Sequence, residues 1–383
     1  MLVFVVAFLV SAVVALLLVR SAKMHAAHTA DRDFSKPQKF HAVPVPRVGG
    51  VALLIGLAAG IGTIAFVDST TDAARALHLL GCALPAFLAG LLHDITESWT
   101  PRGRLLATAL SALLAYFVLD AAIRYTGIPG VDWVVSFGIG SLLATMFTVA
   151  GIANSMNIID GMNGLASMCA AIMFAAIAYV AYQLGDTQIG LLALAAIGAV
   201  LGFFIWNFPA GLIFLGDGGA YLLGFLVAEL AILLLVHSHG RVSPMFPLLV
   251  CIYPVFETLF SIYRRRVLRD APSSLPDGIH LHSLIYRRVM RWAVGDQSAQ
   301  ALTRQNSMTS PFLWLLCMAS AVPAMLFWDN TLALVIALAA FAVGYSALYW
   351  RIVRFRSPRW MRTPFSGSRS GVTGGGETMP PRR

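Results

Sequence analysis

Apolar runs separated by short polar segments repeat along the whole chain. About eleven of these runs are long enough to cross ~30 Å of hydrocarbon as helices of ~20 residues. In chain order they cover residues 2–19, 48–66, 76–92, 105–123, 133–152, 166–184, 188–206, 219–237, 245–263, 311–328 and 331–350. The pattern predicts an all-α integral membrane protein with one polytopic domain over residues 1–350 and a basic, disordered tail over residues 351–383.

The composition supports this class. Hydrophobic residues make up 58% of the 383 residues and charged residues only 12%, and the mean hydropathy is +0.77. Water-soluble domains rarely reach such values. The first run has no basic stretch before it and no small-residue cleavage site after it, so we expect a retained helix. The four cysteines lie inside apolar runs without metal-ligand spacing and are expected to be buried small side chains.

The basic residues are distributed asymmetrically between the polar gaps. If the N-terminus lies outside, the external gaps contain only three basic residues, Arg75, Arg124 and Arg241. Because Lys and Arg near helix ends are retained on the cytoplasmic side, we expect N-out, C-in topology. The net charge of +9 then reflects topology and attraction to the lipid bilayer, and we expect no nucleic-acid partner.

The cytoplasmic gaps carry the unusual polar residues. In the first gap, Arg47 offers a fork of donors just before Gly49 and Gly50. In the second, His93 and Asp94 follow an apolar run, where an acidic group is unusual. Each has a simpler interpretation: the first gap can be a stiff basic lead-in to a helix, and Asp94 can be a cap.

Asparagines and an aspartate dominate the third gap. Asn154, Asn157 and Asp160 are spaced by three, which places them on one face of a helical turn. Such a face can bind a hydrated cation or the polar atoms of a nucleotide. Gly161 and Gly164 would let the chain leave the helix and bring backbone amides close to an anion. The alternative is an ordinary capped connection between helices.

The last two gaps suggest metal and phosphate binding. Asp217 stands among glycines, and one carboxylate of this kind suits Mg²⁺, although an Asp-Gly turn would look the same. His280 and His282 lie two apart, so both point the same way in an extended segment, and Arg287 and Arg288 follow. Imidazoles and guanidiniums suit a diphosphate, whereas a basic patch on lipid headgroups is the simpler interpretation.

In this order, five motifs resemble the bacterial polyprenyl-phosphate N-acetylhexosamine-1-phosphate transferases, glycosyltransferase family 4, which includes the MraY and WecA-type enzymes. The motifs are H-x-x-P-x-P-R-x-G-G at residues 41–50, Asp94 in an acidic-pair position, N-x-x-N-x-x-D-G at 154–161, F-L-G-D-x-G at 214–219 and D-x-x-H-L-H at 277–282. The resemblance implies transfer of a sugar-1-phosphate from a UDP-sugar to undecaprenyl phosphate, with release of UMP, at the cytoplasmic face of the bacterial inner membrane.

The resemblance also implies the roles of the site residues. Asp94, with His93, would position or deprotonate the lipid phosphate, and Asp217 with Asp160 would hold Mg²⁺, or Mn²⁺ in its place. The residues expected to bind the UDP-N-acetylhexosamine are Asn154, Asn157, Asp160, Asn163, Arg47, His280, His282 and Arg287. Because the last motif lacks a triple histidine, a WecA-type enzyme that initiates a surface glycan from UDP-GlcNAc is favoured. A membrane homodimer is expected by family analogy.

Two other classes stay open. The chain departs from the family pattern at His93, Asn163, Ala220 and Ser283, which allows an inactive scaffold of the same family. A secondary transporter or lipid flippase would instead depend on the intramembrane acidic residues Asp120, Glu229 and Glu257.

Overall fold

Helices account for most of the residues that the computed structural model describes, which are 1–31, 44–67, 70–268, 279–290 and 298–354. The helices are α1 (Leu2–Arg20), α2 (Ala22–Thr29), α3 (Gly49–Val67), α4 (Thr70–Thr96), α5 (Pro101–Val118), α6 (Pro129–Val135), α7 (Gly138–Ile159), α8 (Leu165–Leu184), α9 (Thr187–Asn207), α10 (Gly216–His237), α11 (Met245–Val250), α12 (Ile252–Tyr263), α13 (Leu281–Ile285), α14 (Ala299–Leu326) and α15 (Thr331–Val353). Two-residue strands, β1 (Ala30–Asp31) and β2 (Val45–Pro46), pair antiparallel. The all-α prediction is confirmed.

Eight helices in the described ranges are long and apolar enough to cross a membrane, namely α1, α4, α7, α8, α9, α10, α14 and α15. The protein is therefore a multi-pass membrane protein. Three predicted runs are not among these eight. Only Gly49–Ile64 of α3 is counted as an apolar stretch, α5 begins with a polar turn, and the run 245–263 is broken at Cys251 into α11 and α12. The count of eleven spans and the orientation remain predictions.

Helix boundaries differ from the hydropathy pattern in the middle of the chain. The predicted run 105–123 stops being helical at Val118, because Asp120 adopts a left-handed φ of 56°. The predicted run 133–152 becomes α7, which continues to Ile159 and ends where Asp160 leaves helical geometry. As a result, Asn154 and Asn157 belong to the last turns of a membrane helix rather than to a loop.

Helix α10 is the centre of the bundle, since nearly its whole length is buried. It packs against α3, α4, α7 and α8, and glycines make the closest approaches. A side chain at Gly50 of α3 would collide with the backbone of Gly219, and one at Gly90 of α4 would collide with that of Gly218. These approaches place the first turn of α10 directly beside α3 and α4.

Backbone hydrogen bonds join the segment before α3 to the segment before α10. Phe214 donates to the carbonyl of Pro46 at 2.8 Å, Gly49 donates to that of Phe214 at 2.9 Å, and Gly50 donates to that of Leu215 at 2.9 Å. The first and fourth predicted motifs are therefore neighbours in space.

A cavity of about 570 Å³ lies at the other end of the bundle, where α4 and α9 begin and α5 and α10 end. Arg75, Asp120, His237 and His239 are among its lining residues. None of the motif residues lines this cavity, so it is separate from the polar cluster described next.

Candidate active site

The carboxylate of Asp94, near the end of α4, closes the N-terminus of α10. Its Oδ1 accepts a hydrogen bond from the backbone amide of Asp217 at 3.0 Å, and its Oδ2 accepts one from Gly218 at 2.9 Å. The first amides of a helix lack partners within the helix and carry partial positive charge. The charges of Arg47, Arg104 and Asp160 also act on this carboxylate. Asp94 therefore ties α4 to α10 at the centre of a charged cluster.

The side chain of Asp217 lies between an amide and a guanidinium. Asn157 of α7 donates through Nδ2 to its Oδ1 at 2.9 Å, and Arg104 of α5 forms an ion pair with its Oδ2. Arg104 also lies over the ring of Tyr221, whose hydroxyl donates to Asn154 Oδ1 at 3.3 Å. Four helices thus supply one connected set of polar side chains.

Asp160 adds a second carboxylate at the end of α7. Burial raises the pKa of this carboxyl to about 7, while the positive charge of Arg47 acts in the opposite direction. A carboxyl with such a pKa exchanges its proton near neutral pH and becomes a stronger ligand when a cation enters.

The histidine motif reaches the end of α7. A Cβ added to Gly161 would lie 2.6 Å from Nε2 of His282, so the imidazole packs directly on this glycine. The rings of His280 and His282 are stacked, with centroids 5.5 Å apart and planes 8° apart. Both side chains are buried, and Nδ1 of His280 is 3.0 Å from the carboxylate of Glu257 in α12. The third and fifth motifs are therefore brought together.

Other predicted site residues have different surroundings. Asn163 is buried and binds α14: its backbone amide donates to Asn306 Oδ1 at 2.7 Å, and its Nδ2 donates to Ser307 Oγ at 3.0 Å. These contacts hold the loop against α14, and the contact of Asn163 with the UDP-sugar stays a prediction. His93 is half-buried beside Asp94, and Arg287 is exposed.

Two residues of the motifs, His41 and Asp277, lie outside the described residues. Conversely, three residues that the sequence analysis did not assign to the site join it: Arg104, Tyr221 and Glu257. Arg104 and Tyr221 follow Asp94 and Asp217 closely in the sequence, and that proximity was the only available signal.

The donor set fits a hard divalent cation that substrate helps to bind. No group of three or more His, Cys, Asp or Glu side chains suitable for a metal occurs within the ranges that the structure describes. Mg²⁺ typically uses one or two protein carboxylates and completes its shell with phosphate oxygens and water. Asp217 and Asp160 can supply such carboxylates, and the guanidinium of Arg104 already places a positive charge at Asp217.

The cluster has the features needed to bind and activate phosphates. Arg47 and Arg104 can oppose negative charge, the two histidines can contact phosphate oxygens, and the carboxylates could hold a divalent cation. Transfer of a phosphoryl group depends mainly on such positioning and charge stabilisation. The fold and the cluster together define a multi-pass membrane protein with a polar site at one end of its helices.

Comparison with known proteins places the chain within this class. Residues 76–235 match the model of Glycosyl transferase family 4. The chain is 30% identical over 280 residues to a probable undecaprenyl-phosphate N-acetylglucosaminyl 1-phosphate transferase of Bacillus subtilis (strain 168), an alignment that covers 73% of this chain and 76% of the relative. It is also 30% identical over 267 residues to a phospho-N-acetylmuramoyl-pentapeptide-transferase of Geobacillus sp. (strain WCH70), covering 65% and 80%. The chain belongs to glycosyl transferase family 4, which confirms the resemblance inferred from its motifs.

Proposed function

We propose that this protein transfers N-acetylhexosamine-1-phosphate from a UDP-sugar, with UDP-GlcNAc favoured, to undecaprenyl phosphate and releases UMP. The observation that carries the proposal is the convergence of Asp94, Asn157 and Asp217, which come from three separate motifs and three helices. The relative in Bacillus subtilis is named a probable undecaprenyl-phosphate N-acetylglucosaminyl 1-phosphate transferase, which supports the same choice of donor sugar and lipid.

The residue roles follow from the contacts. In the proposed reaction, an oxygen of the lipid phosphate attacks the sugar-linked phosphorus of the UDP-sugar, the bond to the UMP oxygen breaks, and UMP leaves. Mg²⁺, when bound at Asp217 and Asp160, would neutralise charge on the diphosphate. Arg47 and Arg104 are placed to oppose the remaining negative charge. The lipid phosphate has a second pKa of ~6 by analogy with phosphorylated side chains, so Asp94 would position it more than deprotonate it.

The site is proposed to face the bacterial cytoplasm, because the positive-inside rule assigns its loops to that side. This orientation matches the supply of nucleotide sugars from the cytosol. The product, a polyprenyl-diphosphate-linked sugar, would initiate a surface glycan such as an O-antigen, a capsule or a wall polymer.

The names of several relatives favour a UDP-N-acetylmuramoyl-pentapeptide as a second candidate donor. Several relatives, including those in Geobacillus and Streptococcus thermophilus, are named phospho-N-acetylmuramoyl-pentapeptide-transferases. Against this donor, the last histidine motif continues with Ser283, which is fully buried in α13 and takes the place of a further histidine. UDP-GlcNAc therefore remains the first substrate to test.

The decisive experiment is UMP release by purified protein in detergent with undecaprenyl phosphate, Mg²⁺ and either UDP-GlcNAc or the UDP-N-acetylmuramoyl-pentapeptide. Asp217→Asn should abolish lipid-dependent release. Asp120→Asn is the matched control, since Asp120 also pairs with an arginine, Arg124, but lies at the other end of the bundle. Equal activity of wild type and Asp217→Asn would overturn the assigned site.

The remaining classes make different predictions in the same assay. An inactive scaffold would release no UMP with any UDP-N-acetylhexosamine. A transporter would depend on Asp120, Glu229 and Glu257 instead. These three residues are dispersed: Asp120 is exposed beside Arg124, Glu229 is buried in the middle of α10, and Glu257 lies under the histidine motif. That dispersal argues against a shared transport pathway.

A further inference from the structure

Glu257 is a fully buried carboxylate whose hydrogen bonds all go to elements around the histidine motif. Its Oε1 is 3.0 Å from Nδ1 of His280 and accepts a bond from the backbone amide of Leu281 at 3.0 Å. Its Oε2 accepts the hydroxyl proton of Tyr345, from α15, at 2.6 Å. One carboxylate thus joins α12, the histidine motif and the last membrane helix.

The same motif is held from its other side. Arg264, which follows α12 directly, donates through Nη1 to the carbonyl of Ile279 at 2.9 Å and to the hydroxyl of Tyr349 at 2.6 Å. The backbone on both sides of His280 is therefore fixed by α12 and by the turn that follows it. Such fixation leaves the imidazole little freedom to change its orientation.

The carboxylate also favours the tautomer of His280 that carries a proton on Nδ1, the ring nitrogen that faces it. An Nδ1–H that donates to a carboxylate leaves Nε2 as the atom directed elsewhere. The imidazole of His280 is stacked on that of His282, which itself packs on Gly161, so it is placed to contact a phosphate group near the end of α7.

We propose that Glu257 is a positioning residue that holds His280 in its orientation for the diphosphate of the UDP-sugar, and that Tyr345 of α15 completes the arrangement. This inference rests on the proposed function. It assigns Glu257 a role in the transferase reaction, although a lone intramembrane carboxylate in the sequence suggests a transport residue.

Four variants test the proposal in the UMP-release assay. Glu257→Gln keeps the shape and an acceptor oxygen but removes the charge. Tyr345→Phe keeps the carboxylate and removes one donor, and His280→Gln removes the imidazole itself. Glu229→Gln is the matched control, because Glu229 is likewise fully buried but lies twelve positions along α10 from Asp217, about 18 Å at the helical rise.

Each variant has a specific expected result. Glu257→Gln should raise the KM for the UDP-sugar by about tenfold, the size of one charge-assisted hydrogen bond, and leave the KM for undecaprenyl phosphate unchanged. His280→Gln should raise the same KM by a similar factor. The double variant, Glu257→Gln with His280→Gln, should raise it little further than either single variant, because the two residues act as a unit. Tyr345→Phe should have a smaller effect in the same direction, and Glu229→Gln none on either KM.

The alternatives give different patterns. If Glu257 served only to stabilise the fold, Glu257→Gln would lower kcat through a smaller active fraction while both KM values stayed constant, and the proposal would be wrong. An additive double variant would also overturn it. If the wild type released no UMP, the proposed function itself would fail. Calorimetry would then still test the role of Glu257, by comparing the affinity of the wild type and of Glu257→Gln for UDP. Equal affinities would refute the positioning role.

Discussion

Asp94 and Asp217 are separated by 123 positions in the chain, yet the carboxylate of the first accepts the backbone amide of the second at 3.0 Å. A second bond, from Gly218, completes a cap on α10 that comes from a different helix. The residue expected to handle the lipid phosphate therefore also fixes the helix that carries the proposed metal ligand. The position of α10 and the proposed binding of the lipid phosphate therefore depend on the same side chain, that of Asp94.

Asp94→Asn should affect both properties. The amide can accept only one of the two backbone bonds well and carries no charge, so the unfolding free energy should fall by about 1–2 kcal/mol, the range for a lost helix cap. UMP release should fall by roughly 10²-fold, as for other displaced catalytic groups. Thermal unfolding in detergent and the activity assay measure the two effects, with exposed Glu97→Gln as control. Normal values for both would contradict the assigned role.

Arg104 and a divalent cation would compete for one carboxylate. Because Arg104 pairs with Asp217 in the structure, Arg104→Gln should lower the Mg²⁺ concentration needed for half-maximal activity several-fold. The maximal rate should fall as well, since one positive charge is lost near the phosphates. Titration with Mg²⁺ measures both values. Arg102→Gln, an exposed arginine on the same turn, should change neither, and a raised Mg²⁺ requirement in Arg104→Gln would count against a shared ligand.

Gly161→Ala should separate the histidine motif from α7. The added methyl group would lie 2.6 Å from Nε2 of His282, so the imidazole must move. We expect the KM for the UDP-sugar to rise by about an order of magnitude, while stability falls by less than ~2 kcal/mol because a side chain can yield. Gly151→Ala, within α7 and with open space around it, is the control. An unchanged KM in Gly161→Ala would show that His282 does not act on the nucleotide sugar.

Asp160 should make stability depend on pH. Its folded-state pKa, about 7, lies above the ordinary value of 3.8 because the carboxyl is buried. The neutral form is therefore favoured in the folded protein, so its stabilising effect is complete below about pH 4 and is lost as the pH rises to 7. The unfolding temperature of the wild type should decline across this window relative to that of Asp160→Asn. Added Mg²⁺ should reduce the decline if it binds the ionised carboxylate. Parallel curves for the two proteins without Mg²⁺ would contradict this account.

The sequence predicted the class of fold and several members of the central cluster, but not Arg104, Tyr221 or Glu257. Spacing by three placed Asn154 and Asn157 on one face, and the structure brings Asn157 to Asp217. The helix, however, ends at Ile159, so Asp160 leaves the face that spacing by three predicted, and the side-chain amide of Asn163 lies in the loop that follows. The direction of that amide is determined by Asn306 and Ser307, which lie 143 and 144 positions away. Hydropathy and local spacing contain no information on such a contact.

The same limit applies to breaks within apolar runs. Residues 245–263 look like one span, yet the chain bends at Cys251, and only the second part, α12, carries Glu257 toward the histidine motif. Without the bend, the carboxylate would be interpreted as an isolated charge in hydrocarbon. Its partners, His280 and Tyr345, are 23 and 88 positions distant, and only the packed bundle brings them together.

The cap on α10 also restricts how a basic inhibitor could bind. Both oxygens of Asp94 are already engaged by backbone amides, so an ammonium group would gain this carboxylate only by releasing the start of a buried helix. Binding to Asp160 or Asp217 should cost less free energy. An entering cation would displace only a proton from Asp160 and the guanidinium of Arg104 from Asp217. A selective cationic ligand should therefore be designed against those two carboxylates, and its affinity should increase with pH as Asp160 ionises.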